Sequence, residues 1–179
     1  DSGGLARPTC VAEACGFVHW DNPVPVVAAL VELDGRIVLA RNVAWPDKSF
    51  GLVTGFLERD EVPEAAVARE VAEELGLATI SSSLIGLYPF PQMNQLIIAY
   101  HVVASGHIVP NEEPAEIRLF APDRLKPWDF GTGLAVRDWL AAHGGVHAVP
   151  VGDGKADSET AALAPSAQVA SVESKAVPL

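Results

Sequence analysis

The sequence predicts an α/β (α+β) fold with a mixed β-sheet, and three observations support this expectation. VPVVAALVEL and RIVLARNV are apolar, β-branched runs joined by Asp34-Gly35, a dipeptide that permits the positive φ angles of a tight hairpin turn. The stretch from Pro63 to Gly76 has the apolar periodicity of an amphipathic helix. Strand-like and helical patterns then follow in mixed order, which favours a mixed sheet over a serial βαβ array.

The elements can be placed in chain order. The first helix is predicted to begin at Pro63, where the missing N–H costs nothing, and to end at Gly76, which suits the left-handed position after a helix. SSLIGLY and NQLIIAYHVVA predict two further strands, and IRLFA predicts a shorter one. A last helix is predicted from Gly133 to Ala142.

Composition divides the chain into three parts. Residues 1–21 contain several Gly residues and a Pro and have no clear helical or strand periodicity, whereas strand-like sequence begins after residue 22. We expect one domain over residues 22–146. Residues 147–179 are rich in Ala, Ser, Val and Pro without periodicity, which predicts a flexible tail.

Charge and hydropathy exclude several classes of function. The chain has 12 Lys and Arg against 23 Asp and Glu, a net charge of -11 over 179 residues, so tight binding to duplex nucleic acid or anionic membrane is not expected. The apolar runs are shorter than the roughly 20 residues of a membrane-spanning helix, and no secretory signal pattern is visible. We therefore expect a soluble, cytoplasmic protein that binds anionic ligands, if at all, through a cation.

Cys10 and Cys15 stand in TCVAEACGFVHW, ahead of the predicted domain. Paired cysteines followed by glycine are typical of half a zinc knuckle, but structural zinc takes four ligands, and here four residues separate the cysteines instead of the usual two. Three alternatives stay open: a degenerate or truncated zinc ribbon over residues 1–21, free thiols, or a disulfide. Cys10 and Cys15 are the candidate zinc ligands in the first of these.

The first predicted helix carries three glutamates with no lysine among them. At 100° per residue, Glu70, Glu73 and Glu74 fall within about 100° of each other and opposite the apolar stripe of Val67 and Leu75, so they are expected to face outward. Like charges at this spacing destabilise a helix by a few tenths of a kcal/mol per pair, and the dipole disfavours anions near its C-terminus. A divalent cation would offset this cost, because hard oxygen ligands suit Mg²⁺ or Mn²⁺.

The residues around these glutamates complete a longer pattern, G-x5-E-x7-R-E-U-x-E-E-x-G-U, where U is aliphatic. This pattern resembles the signature of the Nudix hydrolases. The resemblance implies a Nudix fold, in which a mixed sheet lies between helices, a possible homodimer, and hydrolysis of a nucleoside diphosphate linked to another moiety. The matching residues are Gly55, Glu61, Arg69, Glu70, Val71, Glu73, Glu74, Gly76 and Leu77.

The resemblance implies metal and catalytic roles for the glutamates. Glu70 and Glu74 would be metal ligands, and Glu73 would be a further ligand or would take part in activating water. Because a diphosphate bridge is doubly negative, bound cations would both neutralise it and lower the pKa of water. The general base differs among Nudix enzymes and stays open.

The same resemblance assigns supporting roles. Arg69 would pair with Glu61 and hold the loop against the helix. Gly55 would let the backbone approach the metal, and the carbonyl of Thr54 would supply a main-chain ligand.

A second stretch bears on the substrate. Tyr88-Pro89-Phe90-Pro91-Gln92 resembles part of a motif of NADH pyrophosphatases, a Nudix branch that also carries an N-terminal zinc ribbon. Gly86 and Leu87 do not match the rest of that motif, and zinc-ribbon Nudix proteins that cleave FAD or ADP-ribose are also similar. Tyr88, Phe90 and Gln92 on a proline-stiffened loop are candidate substrate contacts, since stacking contributes about 1 to 3 kcal/mol per base. In the alternative, these aromatic rings fill the core at a strand entry.

Further candidates lie elsewhere. The pattern Glu-x-x-Glu-x-x-x-Phe resembles a region where several Nudix enzymes supply another metal ligand; we expect Glu113 in this role, with Glu116 as the alternative. Arg41 is a candidate phosphate contact, or else an edge-strand arginine that extends to water. His101 and His107 have no recognisable partners and are interpreted as structural.

The sequence therefore predicts a hydrolase that uses Mg²⁺ or Mn²⁺ to cleave the diphosphate bridge of NADH, ADP-ribose or FAD. The alternative is a non-catalytic Nudix domain that senses a nucleotide.

Overall fold

The computed structural model describes residues 6–43, 49–112 and 114–143. The predicted tail, residues 147–179, lies outside these ranges. Within them the chain forms six strands and two α-helices: β1 (Val24–Leu33), β2 (Arg36–Asn42), β3 (Val53–Phe56), α1 (Pro63–Leu75), β4 (Ala78–Phe90), β5 (Gln95–Ser105), β6 (Pro114–Phe120) and α2 (Thr132–Ala142).

The strands form one mixed sheet in the order β4-β5-β1-β2-β6, with β3 also paired to β1. Only the β1–β5 pair among these is parallel. The C-terminal part of β1 pairs with β2 and its N-terminal part with β3, so β2 and β3 share one side of β1. The predicted hairpin is confirmed, and Asp34 and Gly35 at its turn have φ angles of 49° and 72°.

A hydrophobic layer covers each face of the sheet. Successive side chains of a strand point to opposite faces, so Val27 and Val31 of β1 pack under α1, while Ala28 and Leu30 pack under α2. All four are buried, which explains why β1 reads as a continuous apolar run rather than an alternating one. The prediction of a mixed sheet between helices is confirmed.

Helix α1 begins and ends where the sequence predicts. Pro63 is its first residue, and Gly76 follows it with a φ of 68° and donates its N–H to the Ala72 carbonyl. The loop after β5 covers this end, because the Val109 N–H donates to the Leu75 carbonyl at 2.8 Å. The loop thereby lies against the helix end that carries the glutamates.

The segment before the sheet makes a small hairpin of its own. The Cys10 N–H donates to the Phe17 carbonyl and the His19 N–H to the Pro8 carbonyl, both at 2.9 Å. Cys10 and Cys15 are exposed and form no disulfide, so the disulfide alternative is wrong. Hydrogen bonds from the Ala12 backbone and from Cys15 lower the pKa of Cys10. The zinc-ribbon assignment of residues 1–21 stays a prediction.

Among the described residues, no helix has both the length and the apolar content that a membrane crossing requires.

Candidate active site

Strand β3 and helix α1 touch where Gly55 faces Glu70. A Cβ atom placed on Gly55 would lie 1.8 Å from Glu70 Oε1 and 1.9 Å from its Cδ, so the carboxylate occupies the volume that any side chain would fill. The resemblance implies that Gly55 lets the backbone approach the metal, which stays a prediction; the group that lies against Gly55 in the structure is the Glu70 carboxylate. Glycine at this position therefore fixes where the carboxylate lies.

Arg69 connects the carboxylates of this region. Its Nε and Nη2 donate to the two oxygens of Glu61 at 2.9 and 3.0 Å, a two-pronged ion pair that confirms the predicted Arg69–Glu61 contact. Its Nη1 donates to Glu70 at 2.6 Å and to Glu73 at 3.2 Å. Nη2 also donates to the carbonyl of Phe56 in β3 at 3.2 Å. One guanidinium thus joins the loop, the strand and the helix.

These contacts shift the acidity of both partners in the direction that strengthens the pair. The hydrogen bond from Arg69 lowers the pKa of Glu61, and the Glu58 N–H, 3.2 Å from Oε2, acts in the same sense. Hydrogen bonds to Glu61 and then Glu70 raise the pKa of Arg69. The Arg69–Glu61 pair is therefore ionised throughout the neutral range.

The prediction that Glu70, Glu73 and Glu74 all face outward is only partly correct. Glu73 is exposed over 57% of its side chain, but Glu74 is only 8% exposed. Glu74 follows Val71 by three residues and Val67 by seven, so it borders the apolar stripe, and its carbonyl accepts the Asn111 N–H from the covering loop. The three glutamates therefore differ in exposure, and Glu74 is buried whereas Glu73 is exposed.

The carboxylate oxygens of Glu70, Glu73 and Glu74 are the type of donor that a hard divalent cation prefers, but their side chains do not form a metal-binding cluster in this structure. Among the described residues, no group of three or more His, Cys, Asp or Glu side chains has the arrangement of a metal site. Arg69 donates hydrogen bonds to both Glu70 and Glu73 in this arrangement. Thr54 lies in β3, opposite Ala28 and next to Gly55. Its role as a main-chain ligand stays a prediction.

The candidate substrate residues lie in a different setting from the one predicted. Tyr88 and Phe90 belong to strand β4 rather than to a loop, and Gln92 lies in the 3₁₀ turn Pro91–Met93 that follows. Tyr88 is buried and donates its hydroxyl to Asp138 at 2.9 Å, whereas Phe90 is half-buried and Gln92 is exposed. The loop interpretation is wrong for the two aromatic residues because they pair with β5 to the end of the strand. Contact with a substrate stays a prediction.

Arg41 is not an edge-strand arginine that extends to water. Strand β2 lies between β1 and β6, and the Arg41 side chain is 17% exposed. Its Nε lies 3.6 Å from Glu116, which also accepts from Arg118 at 2.7 Å. Two guanidinium groups therefore lie beside Glu116, and its role as the alternative metal ligand stays a prediction. Glu113 lies outside the described residues, and its role stays a prediction.

Sequence reasoning missed two polar contacts that hold α2 on the sheet. Asp138 of α2 accepts the Tyr88 hydroxyl across 50 positions of sequence. His101 is not isolated as expected, since its Nε2 lies 2.8 Å from Glu32 and its ring 5.2 Å from that of Trp139. Each partner comes from a different element, so no local pattern signals these contacts.

The NUDIX domain family matches residues 21–139, which include the whole Gly55 to Glu74 site. The chain belongs to the Nudix family. The resemblance predicted from the motif is thereby confirmed, together with the NADH pyrophosphatase-like branch.

Two curated Nudix relatives carry the same name. The NAD-capped RNA hydrolase NudC of Mycobacterium bovis (strain BCG / Pasteur 1173P2) is 36% identical over 136 residues, which are 71% of this chain and 40% of that protein. The NAD-capped RNA hydrolase NudC of Pseudomonas aeruginosa (strain LESB58) is 31% identical over 115 residues, 63% of this chain and 41% of that protein. The chain spans about two fifths of the length of these relatives.

Solved Nudix structures share the fold. A Nudix hydrolase from Nitrosomonas europaea superposes with a TM-score of 0.59 at 23% identity, covering 77% of this chain and 81% of that one. A MutT Nudix hydrolase from Burkholderia pseudomallei gives 0.53 at 28% identity, covering 65% and 98%. The Nudix fold expected from the motif is confirmed.

Proposed function

We propose that the chain is a Mg²⁺- or Mn²⁺-dependent Nudix pyrophosphohydrolase that cleaves the diphosphate bridge of an NAD-type dinucleotide. The observation that carries this proposal is the Glu70 carboxylate seated against Gly55, on the same helix end as Glu73 and the buried Glu74. An acidic chain needs a cation to hold a diphosphate, and this helix end supplies hard oxygen donors for one.

The chain's own residues have distinct tasks in this proposal. Glu70, Glu73 and Glu74 hold the cation, which would neutralise the diphosphate and lower the pKa of the attacking water. Glu61 and Arg69 fix the loop and strand β3 against the helix, which keeps the Glu70 carboxylate in place. Glu70 is the donor whose position is most constrained, since Gly55 contacts it directly.

The substrate side is proposed at the end of β4. Phe90 lies 6.2 Å from the ring of Phe130 and precedes the exposed Gln92, so a base could stack on the Phe90 edge of this pair while Gln92 supplies polar contacts. Tyr88 supports this strand end through its bond to Asp138. Arg41 is the proposed phosphate contact.

The names of the NudC relatives extend the candidate substrates to NAD at the end of an RNA chain. Such an RNA end carries the dinucleotide itself, so this substrate does not demand a basic surface for duplex nucleic acid. We therefore include it beside NADH, ADP-ribose and FAD.

A hydrolysis panel tests the proposal. Release of AMP from NADH, ADP-ribose and FAD, and release of nicotinamide mononucleotide from NAD-capped RNA, are measured with Mg²⁺, with Mn²⁺ and with EDTA. We expect metal-dependent turnover that is fastest on an NAD-type substrate. If no diphosphate is cleaved with either metal, yet calorimetry detects nucleotide binding, the alternative of a sensing domain replaces the enzyme. Light scattering on the same sample tests the homodimer that the resemblance implies.

A further inference from the structure

Arg69 is placed as an internal cation among the carboxylates that the proposed function assigns to metal. Its Nη1 lies 2.6 Å from Glu70 and 3.2 Å from Glu73, so the contact with Glu70 is the closer of the two. Its own side chain is 26% exposed and that of Glu70 is 13% exposed, so water screens the inner contact only in part. The guanidinium therefore offsets the repulsion between the two glutamates.

Arg69 forms different kinds of hydrogen bond with its carboxylate partners. Toward Glu61 it uses two nitrogens, Nε and Nη2, in a two-pronged pair with two oxygens. Toward Glu70 and Glu73 it uses the single nitrogen Nη1, which both carboxylates share. The pair with Glu61 is the more directional one, because it joins two nitrogens to two oxygens, whereas Nη1 donates one N–H to each of Glu70 and Glu73.

We propose that Arg69 competes with the divalent cation for Glu70 and Glu73. Without a cation, Arg69 is hydrogen-bonded to both carboxylates. When a cation binds Glu70 and Glu73, the ion pair with Glu61 keeps the Arg69 guanidinium in place. Arg69 is thus a positioning residue that sets how tightly the site binds metal. This inference rests on the proposed metal site.

The proposal predicts opposite effects for the two partners of one ion pair. Removing the guanidinium removes a cation that competes with metal for Glu70 and Glu73, so metal should bind more tightly. Removing the Glu61 charge leaves Glu70 and Glu73 as the charged partners of Arg69, so metal should bind more weakly. A purely structural role of the Arg69–Glu61 pair predicts the same sign for both changes, since either one breaks the pair.

The test measures Mn²⁺ binding without substrate, by electron paramagnetic resonance of free Mn²⁺. Arg69→Gln and Glu61→Gln are compared with Arg59→Gln and Asp60→Asn, which make the same charge changes at an almost fully exposed neighbouring pair. We expect the Mn²⁺ Kd to fall roughly threefold to tenfold in Arg69→Gln and to rise by a similar factor in Glu61→Gln, with both controls within about twofold. Circular dichroism verifies that each variant is folded.

A second measurement uses thermal unfolding. Arg69→Gln should lower the Tm more without metal than with saturating Mn²⁺, because bound metal then replaces the lost counter-ion. If that variant does not fold, Arg69→Lys takes its place, since an ammonium cannot form the fork to Glu61 and reach both other carboxylates at once; a smaller tightening is then expected.

The possible outcomes separate this inference from the function on which it rests. Weaker Mn²⁺ binding in both ion-pair variants, with normal binding by the wild type, would overturn the role of Arg69 and leave the proposed enzyme standing. Failure of the wild type itself to bind Mn²⁺ would overturn the metal site and the inference together.

Discussion

The contact between Gly55 and Glu70 allows a sharp test of the site, because one methyl group acts directly on one carboxylate. In Gly55→Ala the new Cβ would lie 1.8 Å from Glu70 Oε1, whereas an ordinary contact needs 3.4 Å or more. The carboxylate must therefore retreat by about 1.6 Å. A displacement of about 1 Å in a catalytic group can cost about 100-fold in rate, so we expect kcat to fall by about 100-fold or more.

The stability of Gly55→Ala should change little. The clashing atoms are the far end of a flexible side chain, which can rotate away without moving the backbone. The loss of the partly exposed Arg69–Glu70 contact costs up to about 1 kcal/mol, and alanine recovers about 0.4 to 1 kcal/mol by restricting the unfolded chain. The free energy of unfolding should therefore stay within about 1 kcal/mol of the wild type.

The assay pairs steady-state hydrolysis with urea unfolding, and Gly35→Ala is the matched control. Gly35 has a φ of 72° in the β1–β2 turn with open space around it, so alanine there should cost about 1 to 2 kcal/mol of stability while leaving kcat unchanged. The two alanine variants should thus separate rate from stability. Wild-type kcat in Gly55→Ala would refute the placement of Glu70 at the reacting centre.

Two further predictions concern buried polar groups. Glu74→Gln should lower turnover by orders of magnitude with the fold intact, while the exposed Asp129→Asn leaves kcat unchanged; normal turnover in Glu74→Gln would show that the metal site is misplaced. Burial, then the bond to Asp138, raises the pKa of Tyr88 to about 12, so its contribution to stability is fully present below pH ~10 and is lost as pH rises toward 12. Tyr88→Phe should therefore be less stable than wild type by about 1 kcal/mol at pH 8, and the gap should shrink between about pH 10 and 12 in unfolding curves; a constant gap contradicts this.

Local chemistry explains why much of the fold was predictable. The turn at Asp34-Gly35, the proline at the start of α1 and Gly76 after its end are each fixed by the backbone angles that these residues allow. The box around Glu61 and Arg69 was also predictable, because its spacing places the loop carboxylate within reach of the helix arginine.

The side-chain environments were less predictable, since burial depends on what another part of the chain brings. A helical wheel gives Glu74 an angle but cannot show that the loop before β6 covers it. Likewise, YPFPQ looks like a loop because of its two prolines, yet pairing with β5 extends β4 through Phe90 and buries Tyr88 under α2.

The sequence by itself determined the family, five of the six strands, both helices and the candidate metal ligands, because these depend on residue type and local spacing; β3 was not predicted. Only the tertiary structure decided that Glu70 rests on Gly55, that Glu74 is buried and that Arg69 reaches the Phe56 carbonyl of β3. Those relations join β3, α1 and the loops around them. Contacts between elements distant in sequence depend on how the layers pack, which no local pattern encodes.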